Sequence, residues 1–126
     1  MKQCISAFLL FALLFTACSK DEKPTNNSSR TLQFEISGNY TGNIFASYTT
    51  AAGGTANETV GTVTWRKEIT YTSGVSAAII AVSGNGGTVG QQVTVVVKRG
   101  NTQVSSTTAT ADNSGSFSRS APVVVF

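Results

Sequence analysis

Thr31-Leu32-Gln33-Phe34-Glu35-Ile36-Ser37 alternates apolar and polar residues without a break. A two-residue period puts Leu32, Phe34 and Ile36 on one face of an extended strand and Gln33 and Glu35 on the other. The same period recurs after the Gly38-Asn39 turn, where Ile44, Ala46 and Tyr48 share a face. Ala51 to Asn57, with two glycines, reads as a flexible connection, and Val60 to Thr64 as a short edge strand. In Trp65-Arg66-Lys67-Glu68-Ile69-Thr70-Tyr71, the residues Trp65, Lys67, Ile69 and Tyr71 fall on the same side. Val75 to Val82 is a continuous apolar run between Gly74 and Gly84. Such a run suits a central strand or a buried helix, and its length and glycine boundaries favour the strand. Val93 to Lys98 leads through Arg99-Gly100-Asn101, a hairpin signal, to Gln103–Ala109. Asp112-Asn113-Ser114-Gly115 is the last turn, and Phe117 to Phe126 closes the sheet, with Pro122 at a bulge or an edge.

No segment carries sustained helical periodicity, and Thr, Ser, Val and Gly dominate. The expected fold is all-β: a single small antiparallel β-sandwich, immunoglobulin-like, of seven to eight strands. An open barrel is the competing architecture. Residues 30–126 are one domain's worth of chain.

Upstream the composition changes twice. Residues 18–29, Cys-Ser-Lys-Asp-Glu-Lys-Pro-Thr-Asn-Asn-Ser-Ser, are too polar to bury a core and read as a flexible tether. Residues 1–17 open with Lys2 and continue as an apolar run from Ile5 to Phe15. That run is short of the roughly 20 residues a spanning helix needs, and it describes a cleaved export signal. Phe15-Thr16-Ala17-Cys18 then reads as a lipobox, with small residues for the peptidase and the Cys18 thiol as the lipidation site. Stable anchoring needs more than one acyl chain, which a multiply acylated cysteine supplies. Cys4 leaves with the signal, so the mature chain has no second cysteine for a disulfide. Lys20-Asp21-Glu22 directly behind Cys18 resembles the surface-export signal of Bacteroidetes-type lipoproteins. The expected location is the cell envelope, at the outer membrane, either displayed on its surface or facing the periplasm.

Catalysis has little to work with. The chain has no histidine, and the domain's carboxylates are Glu35, Glu58, Glu68 and Asp112, widely spaced in sequence. Glu35 and Glu68 are the candidate pair for approach across strands, and exposed strand charges are the expected outcome. Asp112-Asn113-Ser114 is oxygen-rich but has one carboxylate, too few for calcium, so a turn is expected. We therefore expect no enzyme, no metal and no cofactor. Removing Lys2 with the signal leaves eight basic and six acidic residues, net +2, too weak and dispersed for nucleic acid. Binding surfaces remain. Trp65 beside Arg66 and Lys67 is the most distinctive cluster, either stacking on a ligand or partner or packing as a core tryptophan. Tyr40, Phe45 and Tyr71 are candidates to extend it, and Lys98 and Arg99 are expected to be solvated at a hairpin tip.

Leu32-Gln33-Phe34-Glu35-Ile36-Ser37-Gly38, followed by Ile44-Phe45-Ala46-Ser47-Tyr48-Thr49-Thr50, resembles the opening of the MmpS family domain. There an aromatic-Glu-aliphatic-x-Gly strand precedes an A-x-I-x-Y strand and a glycine-rich turn. The similarity continues in order through Thr64-Trp65, Gly74-Val75-Ser76-Ala77-Ala78 and Val93 to Asn101. MmpS proteins are membrane-anchored accessory subunits of MmpL-type exporters, so the resemblance implies a β-sandwich and a role beside an envelope transporter. Here a lipid replaces the family's transmembrane anchor, and the terminal cysteine pair of many members is absent. Contact with a glycan or a host protein is the alternative function.

Overall fold

The computed structural model describes residues 28–126; the export signal, Cys18 and most of the tether lie outside the described residues. The opening alternation is realised as β1 (Thr31–Gly38), with Leu32, Phe34 and Ile36 at most 1% exposed. β1 is hydrogen-bonded on both sides, to β4 (Trp65–Thr70) and to β7 (Gln92–Arg99). β7 in turn pairs with β8 (Thr102–Thr110), giving a first sheet of order β4-β1-β7-β8. The second sheet has the order β3-β2-β6-β9, from β3 (Thr55–Val60), β2 (Asn43–Thr49), β6 (Ile80–Asn85) and β9 (Phe117–Ser120). Two-residue strands β5 (Ala77–Ala78) and β10 (Val124–Val125) form a separate ladder. Every pairing is antiparallel.

Inner faces of the two four-stranded sheets share one core, so the expected β-sandwich is the fold, with eight strands in its two main sheets. Phe34 of the first sheet meets Tyr48 of the second at 6.3 Å between ring centroids. Ile80, Val82, Val93 and Val97 complete the most deeply buried set. Burying each such side chain is worth about 1.5–3 kcal/mol. Among the described residues, only β2–β3 and β7–β8 are hairpins within a sheet; the other links between the main strands cross from sheet to sheet.

Several boundaries differ from the expectation. The polar stretch Thr55–Val60 is an edge strand rather than the end of a loop, because β2 offers it a complete pairing register from Thr49↔Thr55 to Ile44↔Val60. Residues 61–64 are the connection to β4 rather than a strand. The apolar run from Val75 divides into β5 and β6, with the exposed Ile79 between them, and is not helical. The C-terminal stretch likewise divides, β9 closing the second sheet and β10 pairing with β5 after the Pro122 break.

One end of the sandwich is pinned by Tyr40, which is buried and packs edge-on against Phe117 at 4.8 Å. Its hydroxyl donates to the Gly115 carbonyl at 2.5 Å and accepts from the Gly87 N–H at 3.3 Å. The opposite end gathers the start of β1, the Gly100 hairpin and the C-terminus. There Arg99 Nε donates to the Ser29 carbonyl at 2.7 Å and Arg99 Nη1 to Val125 at 3.1 Å.

Candidate functional site

Because β4 alternates, it separates the expected Trp65-Arg66-Lys67 cluster. Trp65 lies opposite Ile36 and Lys67 opposite Phe34, so both turn to the inner side; Arg66 lies opposite Glu35 on the outer side. Two different arrangements result.

On the inner side, the edges of the two sheets meet at Glu58 of β3. Its Oε2 accepts from Tyr48 Oη at 2.8 Å and from Lys67 Nζ at 3.1 Å, and its Oε1 accepts from Trp65 Nε1 at 3.2 Å. The Tyr48 and Trp65 rings are 6.2 Å apart, and the Lys67 ammonium lies 5.3 Å from the Tyr48 centroid. The Tyr48 hydroxyl, then Lys67, holds the Glu58 carboxyl below its ordinary pKa. Donor demand thus fixes this carboxylate as a tie across the seam between sheets. An adjoining open groove of ≈ 380 Å³ is lined by Tyr48, Thr50, Ala56, Lys67 and Ile69 among others.

On the outer face of the first sheet, Glu35 accepts from Lys98 Nζ at 2.9 Å and Arg66 Nε at 2.8 Å. Lys98 first lowers the Glu35 pKa, against the desolvation that raises it, and Arg66 lowers it further. Glu35 therefore faces cations across the strands, with Glu68 opposite Gln33 instead. Lys98 and Arg99, expected to be solvated, are both engaged: Lys98 by Glu35, Arg99 by backbone carbonyls and the Phe126 ring at 5.1 Å. Neighbouring hydroxyls on this face also pair, Thr31 with Thr70 at 2.8 Å and Thr94 with Thr108 at 3.1 Å. Asp112 Oδ1 accepts from the Ser114 N–H, the Ser114 hydroxyl and the Ser116 N–H, which closes the last turn.

The outer face of the second sheet is different in character. Register aligns Thr59, Phe45, Ser83 and Ser118 in one row across the four strands, and Asn57, Ser47, Ala81 and Ser120 in the next. A shallow trough of ≈ 310 Å³ runs between these rows. Phe45 is 41% exposed, whereas Tyr40 and Tyr71, its expected companions, are buried. The placement was readable: if Ile44, Ala46 and Tyr48 face in, Phe45 must face out. What the chain could not announce is that its neighbours would be small, because they come from three other strands.

No family model matches the chain, and no curated protein or solved structure matches it.

Proposed function

We propose that the chain is a lipid-anchored, non-catalytic module of the cell envelope that works by surface contact, as an MmpS-like accessory or scaffold for a transport assembly. Its support is a division of labour among side chains. The carboxylates of Glu35, Glu58 and Asp112 are each held by donors within the fold as struts. A carboxylate satisfied in this way is a poor general base, whereas an exposed aromatic on an uncharged sheet face is available for contact. The ordered resemblance from Leu32 to Asn101 supports the transport role, and the lipobox at Cys18 supports anchoring at the outer membrane.

Crosslinking in intact cells, with the anchored protein as bait, tests the assignment. Recovery of an envelope transporter component, lost in Cys18→Ser together with lipid labelling, is the expected result. A freely soluble mature protein with an unmodified first-residue sulfur would overturn the anchor. A second reading, a surface-displayed module for glycan or host protein, is favoured by Phe45 and the polar rows beside it.

A further inference from the structure

The two outer faces of the sandwich differ in charge: the first carries an ion-pair cluster, and the strands of the second present no charged side chain outward. On the first sheet, Arg66 and Lys98 both engage Glu35, Thr31 pairs with Thr70 and Thr94 pairs with Thr108. On the second, Asn43 pairs with Asn85 and the Thr49 hydroxyl with the Ile79 backbone, while Ser47, Asn57, Thr59, Ser83, Ser118 and Ser120 make no side-chain hydrogen bond to another described residue. Thr59, Ser83, Ser47 and Asn57 flank Phe45, with Ser118 and Ser120 one strand further out, in two rows that hold no charged side chain. Adjacent strands are about 4.8 Å apart and alternate residues on a strand about 6.8 Å apart, so the hydroxyl and amide groups flank the ring at regular spacing.

We propose that this face binds a neutral carbohydrate, with the Phe45 ring stacking on the C–H face of a pyranose. Asn57, Thr59, Ser47, Ser83 and Ser118 supply donors and acceptors to the hydroxyls around the sugar's rim. The proposal rests on the surface-binding reading and names its ligand. Three features select the chemistry. A sugar ring pairs an apolar face with a polar perimeter, as the aromatic and its neighbours do. The trough, at ≈ 310 Å³, sits at the small end of ligand sites, suited to one or two sugar units. Uronic acids, phosphates and nucleotides would call for cations, and the lining offers none. A protein partner would want about 800 Å² of surface centred on several aromatic or arginine anchors. Phe45 is a single anchor among side chains too small to provide others.

The test uses the full lipidated protein in detergent micelles on an array of neutral and acidic glycans. Affinity electrophoresis through laminarin, galactomannan, xyloglucan and polygalacturonate accompanies it. Binding to at least one neutral glycan is expected, weakened at least tenfold in Phe45→Ala and retained in Phe45→Trp. Because Phe45 is exposed, both variants should keep the parental Tm, which separates a lost platform from a lost fold. Binding confined to polygalacturonate, no binding to any neutral glycan, or neutral binding indifferent to Phe45→Ala would each overturn the proposal. A photo-crosslinker at position 45 that captures an envelope protein while every glycan fails would sink the carbohydrate assignment and leave the contact reading standing. Failure of both would remove the two together.

Discussion

At the scale of single residues, the stability of this domain is tied to a few polar atoms at its seams. Glu58 receives three donors, from Tyr48, Lys67 and Trp65, and Glu58→Ala leaves all three without their acceptor. A hydrogen bond to a charged group is worth about 1.5–3 kcal/mol when buried. The Glu58 side chain is 35% exposed, so water replaces part of the loss, and a total of about 1–2 kcal/mol is expected in urea unfolding at pH 7. Glu35 and Glu58 both have pKa values lowered by folding, so their contribution is present above the unfolded value and is lost as pH falls through the folded one. Stability should therefore decline as pH is lowered below 4.5, and the Glu35→Gln/Glu58→Gln double variant should flatten that decline. An unchanged acid limb in the double variant would contradict the assignment. Tyr71 contributes to the alkaline limit. Burial first, then nearby Tyr48, pushes its hydroxyl from 10.0 to about 12. A raised folded pKa favours folding below the unfolded value, so this contribution disappears between pH 10.0 and about 12. Tyr71→Phe should reduce the alkaline loss, leaving the part that belongs to Lys67, whose pKa is raised by Tyr48 and Glu58. At neutral pH it should cost about 1 kcal/mol, because the hydroxyl donates to the Thr49 carbonyl at 2.7 Å.

Elements show where sequence reasoning was sufficient and where it stopped. Strands whose inner faces are apolar were legible: β1, β2, β7 and β8 lie within a few residues of where alternation and the Gly100 hairpin put them. β3 was not, since Thr-Ala-Asn-Glu-Thr-Val mixes strand formers with Ala, Asn and Glu, has no apolar alternation to mark it, and forms because β2 supplies its ladder. The Trp65-Arg66-Lys67 cluster is divided between faces for a related reason. Adjacency in sequence suggested that Trp65, Arg66 and Lys67 act together, although the period of two that identified β4 already divides them between faces. Their partners, Glu58 for Trp65 and Lys67 and Glu35 for Arg66, come from strands that the local pattern does not connect to β4. Turns carry an equally specific demand. Gly115 has φ +74°, and a Cβ there would lie 2.0 Å from the Gly87 carbonyl oxygen while its own carbonyl holds the Tyr40 hydroxyl. Gly115→Ala thus combines left-handed backbone strain with a backbone clash and should destabilise by about 3 kcal/mol or more. Gly61→Ala, with nothing within 4 Å of the added carbon, should stay within about 0.5 kcal/mol of the parent. Equal effects of these two substitutions in thermal unfolding would refute the account of the turn.

Over the whole molecule, the ends of the domain converge. Tyr71 N–H donates to the Arg30 carbonyl at 2.8 Å, Gly100 N–H to Thr31 at 2.9 Å, and Arg99 joins Ser29 to Val125. Phe126 closes this end: its ring lies 4.5 Å from the Arg30 guanidinium, 5.1 Å from that of Arg99 and 5.2 Å from the Tyr71 ring. If the chain is held by Cys18, load from the anchor enters at β1, the strand bonded on both sides by β4 and β7. Phe126 then acts as a latch over the point where β1 begins. Each guanidinium–ring contact is worth about 0.5–1 kcal/mol at a partly exposed site, and the buried ring face adds a comparable amount. Phe126→Ala should therefore cost about 2 kcal/mol, roughly 8–16 °C in Tm for a domain of this size. Val125→Ala is the control, since that side chain is 67% exposed and should shift Tm little. Hydrogen exchange locates the effect: Phe126 N–H donates to the Ser76 carbonyl and β10 pairs with β5, so amides at residues 77, 78, 124 and 125 should lose protection first. Protection lost uniformly across both sheets, or an unchanged Tm, would show that the latch does not hold this end.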